Sequence, residues 1–159
     1  MITGQSPRYE WRPNVIASPR SLDEAIEIAC ANGVEIPVDV QFFVDEWGDL
    51  NDRTTARGPR IDKAANDVVW LEDLVHDRTG RIPFLVRPDI LSSDEAIVAV
   101  LGHEMFELNC LRPFLLKGKL TMDQFIAETQ PGNPGNFHDQ AWDFADELVL
   151  KMRSRSHEH

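Results

Sequence analysis

Three residues in one short stretch, His103, Glu104 and Glu107, have the types and the spacing to do chemistry. Residues four apart on a helix project from the same face, so an imidazole at 103 and a carboxylate at 107 can meet at one cation. Histidine nitrogen and carboxylate oxygen are both ordinary ligands of Zn2+. Glu104 falls on the flank of that face, where a carboxylate can accept a proton from a water held by the same ion. The spacing also suits a purely structural role. The imidazole and the carboxylate can hydrogen-bond each other across one turn, or pair with Arg81, Arg87 or Arg112.

A catalytic zinc site uses three protein ligands and keeps a fourth position for water. Of the five histidines, His157 and His159 lie in the last few residues and His76 stands beside a turn signal, which makes His138 the first candidate for the third donor, with His76 or a carboxylate as alternatives. Asp139 and Asp143 follow it closely and can ligate or orient its ring. His138 can instead pack on Trp142 one turn later, or help to cap its helix. Other patterns fall short of chemistry. Gly132-Asn133-Pro134-Gly135 lacks the Lys-Ser/Thr of a phosphate-binding loop, and Ser92-Ser93 has no Gly-x-Ser-x-Gly elbow around it. Cys30 and Cys110 are far apart in apolar contexts, which predicts buried free thiols, or else a disulfide between them, and no metal pair.

The run Gly102-His103-Glu104-Met105-Phe106-Glu107-Leu108 resembles the active-site helix of zincin-type metallopeptidases, whose motif is His-Glu-x-x-His. His103 and Glu104 match by position, and Glu107 stands where that family has its second histidine. The resemblance covers about residues 82–152 and implies a zincin-like fold in which sheet strands precede the motif helix. It further implies a zinc-dependent hydrolase of peptide or amide bonds, acting on a protein or peptide substrate. His103, Glu107 and His138 would be the metal ligands and Glu104 the general base. Glu107 in place of histidine is also the first change expected of a zincin-like domain that has lost catalysis. The small size, and a beginning that reads like the middle of a longer protein, point to an effector or toxin-type peptidase domain.

The elements that must position these groups are legible as periodicity and punctuation. Ser92-Ser93-Asp94-Glu95 opens the motif helix, which the spacing carries to about Leu111, where Arg112-Pro113 should stop it. Ala96, Ala99, Val100 and Leu111 share the sector of His103 and Glu107, while Val98, Leu101, Met105 and Leu108 take the opposite side. A helix apolar nearly all round belongs in a domain interior. Ser21-Leu22-Asp23-Glu24 is a capping box for a first helix ending near Asn32-Gly33. Val38, Val40, Phe42 and Val44 alternate with Asp39, Gln41 and Phe43 as in a half-buried strand, and residues 45–62 read as a long loop. The stretches 68–75 and 82–86 flank Asp77-Arg78-Thr79-Gly80 as a hairpin or as neighbouring strands. A short helix over 121–129 and a last helix from Phe137 to about Met152, capped by Asn136, complete the series.

The fold these predict is an α+β domain: a small, mostly antiparallel sheet from 38–44, 68–75 and 82–87, packed against about four helices, with the motif helix buried at the centre. Residues 1–20 read as an extended arm or linker, 21–153 as a single domain and 154–159 as a flexible tail. With 42% apolar and 27% charged residues, the 159-residue chain has the composition of one globular domain. A formal charge of −11 repels phosphate backbones, which argues against nucleic acid, and no apolar run approaches the roughly 20 residues of a membrane span. The chain is expected to be soluble, in the cytoplasm or secreted as part of a longer protein. That acidity also supports a reading of another class: a binding protein of immunity or inhibitor type, whose charged surface engages a basic cognate partner protein.

Overall fold

The computed structural model describes residues 10–13, 15–45, 56–57, 61–62, 67–68, 82–117 and 137–156. Its elements, in chain order, are helix α1 (Leu22–Ala31), strands β1 (Val40–Val44), β2 (Ala56–Arg57), β3 (Ile61–Asp62), β4 (Asp67–Val68) and β5 (Ile82–Val86), a 3-10 turn (Pro88–Ser92), and helices α2 (Asp94–Lys117) and α3 (Phe137–Ser156). The class is α+β. The ends of α1 follow from local chemistry. Ser21 accepts from the Glu24 N–H, while the Glu24 carboxylate accepts from the Ser21 N–H, so both halves of the capping box form. Gly33, just beyond the last turn, has φ +97, a conformation that side chains disfavour.

The sheet departs from the expected pattern. β5 is central, with β1 on one side and β2 on the other. β1 runs parallel to β5 over all five residues, pairing Val40 with Ile82, Phe42 with Phe84 and Val44 with Val86, and only the two-residue β2 is antiparallel to it. The prediction of a mostly antiparallel sheet is therefore corrected. Turn residues at 77–80 favour a local hairpin, but alternation fixes only which face of a strand is buried. The long stretch 45–81 supplies the crossover that a parallel pair needs. Residues 56–57 and 61–62, read as loop, form short strands, the second paired with β4. Most of the predicted strand 68–75, and the predicted helix 121–129, lie outside the described residues. Three helices are described where about four were expected.

β1 keeps the predicted alternation from residue 40 onward, with Val40 and Phe42 buried and Phe43 exposed, whereas Val38 lies outside the strand and is 91% exposed. Ile82, Phe84 and Val86 on β5 are buried, and the Phe42 and Phe84 rings meet at 5.6 Å. On this layer sits α2, whose residues Ala96 to Leu101 are all at most 2% exposed. Its N-cap is Ser93, whose hydroxyl accepts from the Ala96 N–H. Ser92 is occupied otherwise, accepting from the Ala17 N–H. α2 continues through Pro113 to Lys117, beyond the expected end at Leu111. Pro113 removes one bond, to the carbonyl of Asn109, and Asn109 lies on the exposed side of the helix, where water can replace it.

α3 runs antiparallel to α2. The contacts Glu95–Arg153, Gly102–Leu148 and Phe106–Phe144 step up one helix as they step down the other. Gly102 is the point of close approach: a Cβ there would stand 2.8 Å from Leu148 Cδ1. α3 outlasts its expected end near Met152, since Arg153 is held by Glu95 and Glu10. Of the described residues before α1, Trp11 is 5% exposed in the core and stacks on Trp142 of α3. Neither cysteine is in a disulfide, but Cys30 is exposed and Cys110 only partly buried, which corrects the expectation of two buried thiols. Cys30 lies on the outer face of α1, opposite the buried Ala25 and Ala29.

Candidate functional site

His103, Glu104 and Glu107 lie in the middle of α2, carried there by a helix whose preceding turns are wholly buried. His103 is 3% exposed. Its Nε2 stands 2.5 Å from Glu107 Oε1, the contact that i, i+4 spacing makes available. The ring lies against the Trp142 indole, centroids 3.9 Å apart at 35°, and Trp142 in turn stacks on Trp11 at 5.8 Å. Two aromatic side chains from opposite ends of the chain thus back the imidazole. The Glu107 side chain retains 17% exposure, so the pair has one buried and one partly open end.

Glu104 lies on the flank, partly buried. Loss of solvent raises its pKa well above the ordinary carboxylate value, and the neighbouring charge of Glu107 raises it further. A carboxylate of raised basicity is the kind that can take a proton near neutral pH. Other acids in the region are held in ways unrelated to the pair. Asp89, 8% exposed, is flanked by Arg87 and Arg12, and Glu95 makes a two-pronged contact with Arg153. Arg87, a possible structural partner for the motif, is therefore engaged with Asp89. The side chains of Arg81 and Arg112 lie outside the described residues.

The donor set fits zinc in chemistry and nearly in geometry. Two ligand atoms of a tetrahedral zinc stand roughly 3.3 Å apart for bonds of about 2.0–2.1 Å. The His103–Glu107 pair at 2.5 Å would open by less than about an ångström, within the reach of a partly exposed glutamate rotamer. Among the described residues no group of three His, Cys, Asp or Glu side chains is gathered that could hold a metal. The side chain of His138, the expected third ligand, lies outside that description. Its backbone position is in the first turn of α3. By the Gly102–Leu148 and Phe106–Phe144 contacts, the α3 residue level with Glu107 is about 143, and residue 138 lies more than one turn beyond it. Asp139 is partly buried and Asp143 exposed on the same helix.

Trp11 and Trp142 are the contributors that sequence reasoning did not attach to the site. Trp142 packs on His103, and the packing of His138 on Trp142 that the spacing allows lies outside the described residues. No local signal joins Trp11 to either. Gly102, inside the quoted motif, carried a readable hint, because a glycine in a helix interior costs about 1 kcal/mol and usually answers to packing. Elsewhere, a cleft of about 330 Å³ opens between the 33–37 turn and the helices, walled by Val34, Pro37, Met105, Phe106, Leu108 and Phe144. His103, Glu104 and Glu107 do not line it. No helix among the described residues is long and apolar enough to cross a membrane. No family model, curated protein or solved structure matches the chain.

Proposed function

We propose that the chain is a zinc-dependent hydrolase of peptide or amide bonds, with a zincin-like motif helix. The observation that carries this reading is the convergence of His103 Nε2 and Glu107 Oε1 on one point of a buried helix, beside a carboxylate of raised pKa. His103 and Glu107 would supply two ligands, and His138, in the first turn of α3, the third. When bound, zinc supplies a polarised, acidic water and a positive charge for the developing oxyanion. Glu104 would accept a proton from the attacking water and return it to the leaving amine. Trp142 holds the His103 ring against rotation, so that its nitrogen is aimed before a ligand arrives. The partly open Glu107 end marks the direction from which a peptide would approach.

The test is hydrolysis. The zinc-loaded chain is incubated with a mixture of unstructured peptides and the products are read by mass spectrometry, beside Glu104→Gln. Cleavage by the wild type and a loss of about 100-fold or more in the variant, with unchanged zinc content and folding, supports the assignment. Equal cleavage by both would remove Glu104 from the chemistry. No cleavage by zinc-loaded wild type would count against a peptidase.

A further inference from the structure

We infer that the cleft between the 33–37 turn and the helices binds a small amphipathic amine, an aromatic or apolar body that ends in one ammonium group. The cleft lies away from the motif. Met105 and Asn109, which line it, stand about 160° and 120° round the α2 axis from His103. His103, Glu104 and Glu107 contribute nothing to its walls, so the inference is independent of the hydrolase reading.

Size and lining set the body of the ligand. A sealed apolar cavity of about 150 Å³ holds one benzene ring. At about 330 Å³ this cleft has room for roughly twice that, two fused rings and a short chain. Val34, Met105 and Leu108 line it from the buried core, so that part of the wall is already in place before a ligand arrives. Phe106 and Phe144 are only partly buried, with centroids 5.4 Å apart at 30°, and supply an aromatic wall.

The polar groups at the rim set the other end, and they are mainly acceptors. Glu35 is exposed and makes no ion pair among the described residues. Asn109, also exposed, adds its side-chain amide and a backbone carbonyl that lacks its helical donor, because Pro113 has no N–H. The N–H groups of Gly33 and Val34 are already spent on the carbonyls of Cys30 and Ala29. None of the described lining side chains is basic. A carboxylate and an unfilled carbonyl beside an aromatic wall suit a cationic donor, and an ammonium carries three N–H donors and no acceptor. An anion would instead meet Glu35, on a chain of formal charge −11.

The experiment titrates the full chain, without zinc, with tryptamine and follows the backbone amide shifts by NMR. Tryptophol, the neutral alcohol of the same skeleton, and the anion indolepropionate are titrated beside it. The proposal expects saturating shifts at residues 33–35 and 105–109, with a Kd on the order of 1 mM or tighter for tryptamine. Tryptophol should bind more weakly and the anion most weakly. Glu35→Gln, at an exposed position, should weaken tryptamine about two- to fivefold and leave tryptophol unchanged. Asn109→Arg puts a cation at the rim and should weaken tryptamine at least as much, with the spectrum of a folded chain retained. Each of four results would overturn the proposal: no saturable shift up to about 10 mM tryptamine, shifts that centre away from the cleft, an anion that binds as tightly as the amine, or a Glu35→Gln variant that binds tryptamine as the wild type does. Binding of an unstructured Trp-Lys peptide without binding of tryptamine would also overturn it, and would make the cleft a peptide-docking site.

Discussion

Gly102→Ala tests the packing that brings α3 onto the motif helix. In an unhindered helix interior the change stabilises by about 1 kcal/mol through propensity, and a freely buried methyl adds roughly 0.8 kcal/mol. At position 102 the new Cβ stands 2.8 Å from Leu148 Cδ1, with Val34 Cγ2 at 3.6 Å and Phe144 Cε1 at 3.8 Å. Carbon atoms rest at about 3.5–4.0 Å, so only Leu148 must yield, by close to an ångström. Leu148 is 4% exposed and has little space to turn into. Overpacking of this kind costs about 1–3 kcal/mol, which cancels the gain or exceeds it. The clearer observable is coupling. Leu148→Ala alone opens a cavity and costs about 2–5 kcal/mol; with Ala at 102 the methyl occupies part of that space and the clash is gone. Denaturant unfolding of both single variants and the double should show the pair destabilised by at least about 1 kcal/mol less than the sum. Additivity within about 0.5 kcal/mol, or a Gly102→Ala variant stabilised by the full propensity gain of about 1 kcal/mol, would refute the close approach.

Glu104 makes a pH prediction for the zinc-free protein. Its folded pKa lies well above the value of 4.5, so the folded state binds the extra proton and the group's stabilising contribution is complete below that pH. As pH rises from 4.5 toward the folded pKa, stability falls, by at most about 1.4 kcal/mol per pH unit. Glu104→Gln should flatten this slope in urea titrations between pH 4.5 and 8, and an identical slope would contradict the assignment. Ser21→Ala removes the hydroxyl half of the α1 capping box and should cost about 0.5–2 kcal/mol in the same measurement, with a change under about 0.3 kcal/mol counting against the cap.

What could be read from the sequence was what local chemistry decides. The α1 cap needs only Ser21 and Glu24, and its end needs only Gly33, so both were visible. The His103–Glu107 contact follows from one helical turn, and the burial of α2 from apolar residues on nearly every side. What escaped depends on partners far along the chain. Alternation in β1 and β5 identified the strands and their buried faces, but Phe42 meets Phe84 in parallel through a long crossover that periodicity cannot reveal. Pro113 signals a stop, yet α2 passes through it where the lost bond falls on the exposed side at Asn109. The stacking of Trp11 on Trp142 over His103 joins the first described residues to the last helix, and no spacing rule spans that distance.

The most direct test of the central claim is metal content. The purified chain, free of added histidine tags, is incubated with zinc, dialysed and analysed by elemental spectrometry beside His103→Ala and Glu107→Ala. The account predicts about one zinc per chain in the wild type and near none in either variant, with all three folded. A wild type that retains no zinc, or variants that retain as much as it does, would contradict it.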